Sequence, residues 1–296
     1  MLTHQNAAPK APARAVVIGR GFVGGTIAAA LKAAGVPVLA PKRTELDLLA
    51  ADATVKLSAL LRPDDAVVFV SAVAPAKNTA QLMTNLRMAE AAAAAFAATP
   101  PAHLLYISSD AIYADDANPV TEASSVAPST THGMMHAARE LIFRSEYKGP
   151  FAALRPTLIY GAADPHSGYG PNRFRRQAMQ GKPIQIFGEG EERRDHVLVQ
   201  DVAELARRIL FHSSTGALNA VTGKSVAFAE IATLVAVQCS PKATVASMPR
   251  PGPRPHLLHR FFDITACYKA FPDFRFTLPA DGIARVHAEV MRAQNG

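Results

Sequence analysis

The sequence predicts an α/β protein, a doubly wound parallel sheet with a smaller C-terminal α+β domain over its carboxyl edge. Three observations predict it. An apolar run, Ala15-Val16-Val17-Ile18, breaks at Gly19-Arg20-Gly21-Phe22-Val23-Gly24, then gives way to a helical stretch and a short second strand, Val36-Pro37-Val38-Leu39. Short apolar runs then alternate with helical stretches as far as Tyr160, the pattern of parallel strands covered by crossover helices. The fourth run ends in Ser108-Ser109-Asp110, at the edge where open α/β sheets bind ligands.

The chain has 296 residues, 49% hydrophobic and 19% charged, which suits one large or two modest globular domains. No apolar run of about 18 residues is long enough to span a bilayer, so no membrane partner is expected. Residues 1–14 are polar and rich in Ala and Pro, and lack the apolar core of a signal peptide, which predicts a disordered tail. Cys239 and Cys267 are the two cysteines. They form no CxxC and no disulfide framework, which fits a reducing cytoplasm. The net charge of +7 suits anionic small molecules as well as plain solubility. No basic run interleaved with aromatics points to nucleic acid.

In chain order, the first strand, glycine turn, helix and second strand form the first half of a dinucleotide-binding unit. Gly19 permits the tight turn, Gly21 lets a pyrophosphate approach the backbone, and Gly24 lets the helix sit close to the sheet. Gly19, Gly21, Phe22, Val23 and Gly24 are therefore candidate cofactor contacts, with the helix N-terminus facing phosphate. An acidic residue is expected after the second strand if the cofactor is NAD. Ala40 stands there, with Lys42 and Arg43 just beyond. Two cations favour a 2′-phosphate, hence NADP, with NAD possible and a solvated loop as the plainer alternative.

Residues 52–61 read as a short helix and 66–70 as the third strand. Ser71-Ala72-Val73-Ala74 are small enough for a cofactor to pass over them, which nominates Ala72 and Ala74. A long helix over 79–98, a strand over 103–107, a helix over 133–147 and a strand over 151–154, closed by Arg155-Pro156, follow. Beyond Tyr160 the alternation weakens. Helices are expected over 172–180, 201–211 and 281–293, with strands over 184–187, 196–199 and 244–246 and a loop over 249–255. The expected division is a dinucleotide domain of 15–160 plus 195–222 and a substrate domain of 161–194 plus 223–296.

Several stretches together resemble one family. They are the glycine turn, Tyr106-Ile107-Ser108-Ser109-Asp110-Ala111-Ile112-Tyr113, Arg155-Pro156-Thr157-Leu158-Ile159-Tyr160-Gly161, Gly181-Lys182-Pro183-Ile184, and Arg194-Asp195-His196-Val197-Leu198-Val199-Gln200-Asp201-Val202-Ala203. Their order and spacing resemble the extended or atypical short-chain dehydrogenase/reductases, the NAD-dependent epimerase/dehydratase and dehydrorhamnose-reductase group. The resemblance implies a Rossmann-type cofactor domain with a nucleotide-sugar domain behind it. It implies Ser109 as a hydroxyl bonded to the reacting oxygen, Arg194 as the grip on the substrate diphosphate, Asn172 as a substrate contact and Pro156 as a cofactor contact. It also implies a homodimer through the helices that flank the sheet. For Ser109 the alternative is a turn cap, and for Arg194 a surface ion pair.

The chain departs from the family twice. Its glycine turn is one residue short, and where the family's helix reads Tyr-Gly-x-x-Lys-x-x-x-Glu this one reads His132-Gly133-Met134-Met135-His136-Ala137-Ala138-Arg139-Glu140. A histidine, with an unperturbed pKa of about 6.5, can serve as acid or base at position 132, and His136 could hydrogen-bond a ribose. The expected function is NAD(P)-dependent oxidoreduction or epimerisation on a nucleotide-sugar carbonyl or alcohol, with Ser109, His132 and His136 as the catalytic candidates. The alternative is a catalytically idle sensor of cofactor or nucleotide sugar. A metal on the His132–His136–Glu140 face is a third, weaker reading, and no metal is expected.

Overall fold

In the computed structural model, residues 1–239, 243–250, 252 and 257–295 are described. Their elements in chain order are β1 (Leu2–Thr3), β2 (Arg14–Ile18), α1 (Phe22–Ala33), β3 (Val38–Leu39), α2 (Ala53–Leu60), β4 (Asp65–Phe69), α3 (Thr79–Ala98) and β5 (His103–Ile107). Then come α4 (Thr131–Glu146), β6 (Phe151–Pro156), β7 (Leu158–Tyr160), α5 (Pro171–Met179), β8 (Ile184–Phe187), β9 (Arg193–Arg194), β10 (His196–Leu198) and α6 (Val199–Phe211). The chain closes with β11 (Thr215–Ala220), β12 (Val226–Ala227), α7 (Phe228–Cys239), β13 (Val245–Met248), α8 (Thr265–Ala270) and α9 (Pro279–Asn295).

Seven strands form the central sheet in the order β1-β11-β6-β5-β4-β2-β3, all parallel except β1. The inner strands are largely apolar because both faces are covered. Ile27 and Leu31 of α1 pack with Val202, Leu205 and Ile209 of α6 on one face. Leu57 of α2, Phe96 of α3 and Phe143 of α4 pack on the other. The chain leaves β2 for β3 on one side and returns to β4 on the other, so the strand order reverses between β2 and β4. That reversal opens a crevice at the carboxyl ends of these two strands.

A separate core joins Phe174 of α5, Ile184 and Ile186 of β8, Ile231 and Val235 of α7, and Ile283 and Val286 of α9. β8 pairs in parallel with β13, and β7 with β10. The expected strand near 244–246 is thus present, at Val245–Met248. Of the expected loop over 249–255, residues 251 and 253–255 lie outside the described residues.

Two differences from the sequence reading are clear. Residues 1–14 are not a disordered tail: Leu2–Thr3 pairs antiparallel with β11. His4 anchors the segment, with Nδ1 2.7 Å from Ser214 Oγ and its ring stacked 4.4 Å from His212. The second difference is β11 itself. Its Thr-Gly-Ala-Leu-Asn-Ala run carries no β-branched stretch, yet it sits between β6 and β1 with four of its six residues buried.

Candidate active site

The crevice is built on the glycine turn. Gly19 has φ +108°, and a Cβ there would lie 2.4 Å from the backbone nitrogen of Ser71 after β4. On Gly24 a Cβ would lie 1.8 Å from the Gly19 carbonyl oxygen, so α1 starts hard against the turn. Gly21 is different. It is the N-cap of α1, and a Cβ on it would meet nothing within 4 Å. With no side-chain cap and no acid in the first turn, the first N–H groups of α1 remain open to an anion.

A cavity of about 850 Å³ lies over this turn, within the usual range for small-molecule sites. Its wall takes in Gly19, Gly21, Phe22, Val23 and Gly24, then Lys42 and Arg43, then Ala72 and Ala74. Arg20 joins the two cations. Arg43 reaches Asp47 at 3.5 Å, but its side chain is 79% exposed. A pair this open is worth at most about 1 kcal/mol, which leaves the guanidinium able to engage a phosphate. A nicotinamide dinucleotide therefore fits the residues present.

His132 reaches the same cavity from α4. Thr130 caps the helix by accepting the Gly133 N–H at 3.1 Å. Gly133 is pressed so closely on the preceding loop that a Cβ would lie 2.0 Å from the Ala111 oxygen. The His132 Nδ1 accepts from the Ala76 N–H at 3.4 Å. Behind it, His136 meets the His132 ring edge-on at 4.7 Å and stands 2.7 Å by Nδ1 from the Tyr106 hydroxyl. Burial, then the neighbouring His132 and Arg139, push the His136 pKa well below the usual value, so this ring is neutral at neutral pH.

Two further residues on the buried face of α4 are charged. Arg139 is fully buried, donates to the Ser71 carbonyl at 2.6 Å and lies over the rings of Phe69 and Tyr106 at 4.9 and 5.6 Å. Glu140 takes Arg155 Nε at 2.9 Å and Nη2 at 2.7 Å. The Tyr113 hydroxyl accepts from Arg155 and donates to Asn219 Oδ1 at 2.7 Å. Both oxygens of Glu140 are thus engaged by arginine, not converging with His132 and His136 on an ion.

Asn172 is on the cavity wall, buried, and donates to Asp164 Oδ2 at 2.6 Å. The other candidates lie off the wall. Ser109 caps the short turn after β5, its hydroxyl accepting the Ala111 N–H at 3.2 Å, which is the capping alternative. His136 stands behind His132. Pro156 ends β6, paired in the sheet with Ala220. Arg194 donates to the Leu257 and Leu258 carbonyls at 2.5 and 3.1 Å, a contact from β9 to a segment more than sixty residues away that no local spacing encodes.

Sequence reasoning assigned no role to His196, Tyr160 or Tyr169, which share the wall. His196 is the most unusual. It is buried, and neither ring nitrogen has a hydrogen-bond partner among the described residues. Burial pushes its pKa down to about 4. The signal was its place between Asp195 and Val197 in a recognisable run. Asp195 is held by Thr222 and Gly223, accepting from two backbone N–H groups and a hydroxyl, and burial raises its pKa to about 6.

The fold recurs among solved structures. A GDP-L-fucose synthetase from Naegleria fowleri, bound to NADP, superposes with a TM-score of 0.85 at 13% identity, covering 100% of this chain and 99% of that one. A UDP-N-acetylglucosamine 4-epimerase from Methanobrevibacter ruminantium, in complex with UDP-N-acetylmuramic acid, gives 0.79 at 22% identity over 96% and 99%. A mutant UDP-glucuronic acid 4-epimerase from Bacillus cereus, in complex with a fluorinated UDP-glucuronic acid and NAD, gives 0.79 at 17% over 95% and 99%. A family model matches residues 15–221, the glycine turn, α4 and the Arg-Asp-His run included, and the chain belongs to the NAD dependent epimerase/dehydratase family.

Proposed function

We propose that the protein is an NADP-dependent oxidoreductase or epimerase acting on a carbonyl or alcohol of a nucleotide sugar, with His132 as its proton-transfer group. The observation that carries this is the single cavity shared by the glycine turn, the Lys42–Arg43 pair and His132. The α1 N-terminus and Gly21 hold the pyrophosphate, Lys42 and Arg43 hold the 2′-phosphate, and Ala72 and Ala74 leave room above the strand ends. NADP bound there supplies hydride chemistry. His132 gives a proton to, or takes one from, the substrate oxygen that changes oxidation state. Asn172 and His196, both on the cavity wall, orient the sugar. The name NADP is supported by the two cations, and the substrate class by the nucleotide sugars bound in the family's structural neighbours.

The test is turnover over a panel of nucleotide sugars, followed by NADPH absorbance for net oxidoreduction and by product analysis for redox-neutral epimerisation, for wild type and His132→Ala. A drop of roughly 10²–10⁴-fold in turnover, the usual worth of a positioned acid or base, with NADP affinity kept, is expected. Full activity in the variant removes His132 from the mechanism. The second reading, an idle binding protein, draws on Ser109, whose hydroxyl faces its own turn and not the cavity. It predicts binding without turnover in either protein.

A further inference from the structure

Behind His132 lies an array that the proposed chemistry leaves without a role. Tyr106 on β5 and His136 and Arg139 on α4 are all buried, and they are packed against one another. The His136 Nδ1 and the Tyr106 oxygen are 2.7 Å apart. The rings of His132 and His136 are nearly perpendicular, at 86°. Arg139 lies over the Tyr106 ring and is tied to the backbone of Ser71, a residue of the cavity wall.

The direction of the Tyr106–His136 bond follows from what surrounds it. Burial raises the Tyr106 pKa far above its usual value, against the opposing charge of Arg139, so the phenol keeps its proton. A guanidinium is donor-only. Its positive charge over the ring makes the phenol a stronger hydrogen-bond donor, which favours O–H donation to the neutral imidazole at Nδ1. A neutral imidazole that accepts at Nδ1 carries its proton on Nε2.

We propose that Arg139 and Tyr106 are positioning residues that fix His136 as its Nε2–H tautomer, and that this fixed ring holds His132 in orientation at the cavity. The inference rests on the reading of His132 as the proton-transfer group. It assigns a buried cation, three residues along from His136, the task of ordering the site without touching substrate. Such arrays act by fixing tautomer and ring orientation, as carboxylates do for metal-bound or catalytic histidines.

The test begins with the unmodified protein. Nitrogen-15 NMR of histidine-labelled protein, with His136 assigned by its loss in His136→Gln, reads the tautomer directly. The expected result is one neutral tautomer, Nε2–H, unchanged between pH 5 and 8. A Nδ1–H tautomer, or titration in that range, overturns the proposal. Tyr106→Phe keeps the packed ring and removes the hydroxyl. In this variant His136 is expected to give mixed tautomers, and kcat for hydride transfer to fall about 3–10-fold, the worth of one hydrogen bond, with the KM for NADPH unchanged. An unchanged His136 spectrum in Tyr106→Phe overturns the proposal, whatever the activity. If the tautomer responds as stated but His132→Ala retains full turnover, the array exists while the proton-transfer reading fails, so the two failures are separable.

Discussion

Glu140 gives the most discriminating stability test, because one carboxylate serves two arginines in different surroundings. The Arg155 side chain is 4% exposed and takes both oxygens, whereas that of Arg144 is 48% exposed and makes one bond of 3.1 Å. Glu140→Gln leaves Arg155 buried with no countercharge. Breaking a buried pair in this way costs about 3–5 kcal/mol. Unit charges 4 Å apart at an effective dielectric of about 20 give roughly 4 kcal/mol, a consistent scale. The glutamine oxygen can still accept from Arg155, which places the expected loss near the lower limit, about 3 kcal/mol. Arg144→Ala removes only a half-solvated partner and should cost less than about 1 kcal/mol.

Thermal and urea unfolding of the two variants beside wild type measure both. For a chain of this size about 3 kcal/mol corresponds to a fall in Tm of roughly 5 °C. The double variant Glu140→Leu with Arg155→Met should be less damaging than either single change, because it removes the uncompensated charge along with the pair. Equal losses from Glu140→Gln and Arg144→Ala would refute the reasoning, since burial would then not be what distinguishes the partners. A loss under about 1 kcal/mol in Glu140→Gln would refute it too.

Two further outcomes are expected. Arg43→Ala should narrow the preference for NADP over NAD by at least several-fold, measured by calorimetry, and equal affinity of the wild type for both cofactors would remove the 2′-phosphate assignment. His196 should make the protein acid-labile: its folded pKa of about 4 lies below the unfolded value of 6.5, so its contribution is complete above 6.5 and declines as pH falls toward 4, by up to about 1.4 kcal/mol per unit. Asp195, raised to about 6, works in the opposite sense, contributing below 3.8 and losing that contribution as pH rises through 6. The comparison is therefore the difference in urea midpoint between wild type and His196→Phe. It should shift in favour of the variant from pH 7.5 to 4.5, and a constant difference would show that the ring is not buried as a neutral group.

How far the molecule could be read from its sequence depended on the range of the contacts involved. The β2–α1 turn was legible because glycine spacing records its demands: Gly24 answers a clash with the turn itself, and Gly19 one with the chain leaving β4. The buried strands were legible as apolar runs. β1 and β11 were not, because Leu2–Thr3 pairs with β11 across more than two hundred residues and Thr215–Ala220 with β6 across more than sixty. Ser109 and Pro156 were nominated by resemblance alone. Whether a side chain at these positions faces the cavity depends on packing that no spacing encodes.

The helix α4 shows the same limit in a more useful form. Its buried positions, Gly133, Met135, His136, Arg139, Glu140 and Phe143, follow helical spacing, but half of them are polar or charged. A reading by hydrophobicity turns such a face to solvent. It is buried because each polar group meets a partner from another element: Tyr106 from β5 for His136, the Ser71 carbonyl and two aromatic rings for Arg139, Arg155 from β6 for Glu140. Buried polar groups cost stability unless each is satisfied. A well-packed apolar face would hold the helix at least as firmly. What the polar face adds is a defined geometry at the end nearest the cavity, where His132 stands one turn before His136. The family's resemblance drew attention to 132 and 136 as altered catalytic positions. In the structure the buried polar contacts run one turn further along the helix, to Arg139, and back into the sheet, to Tyr106.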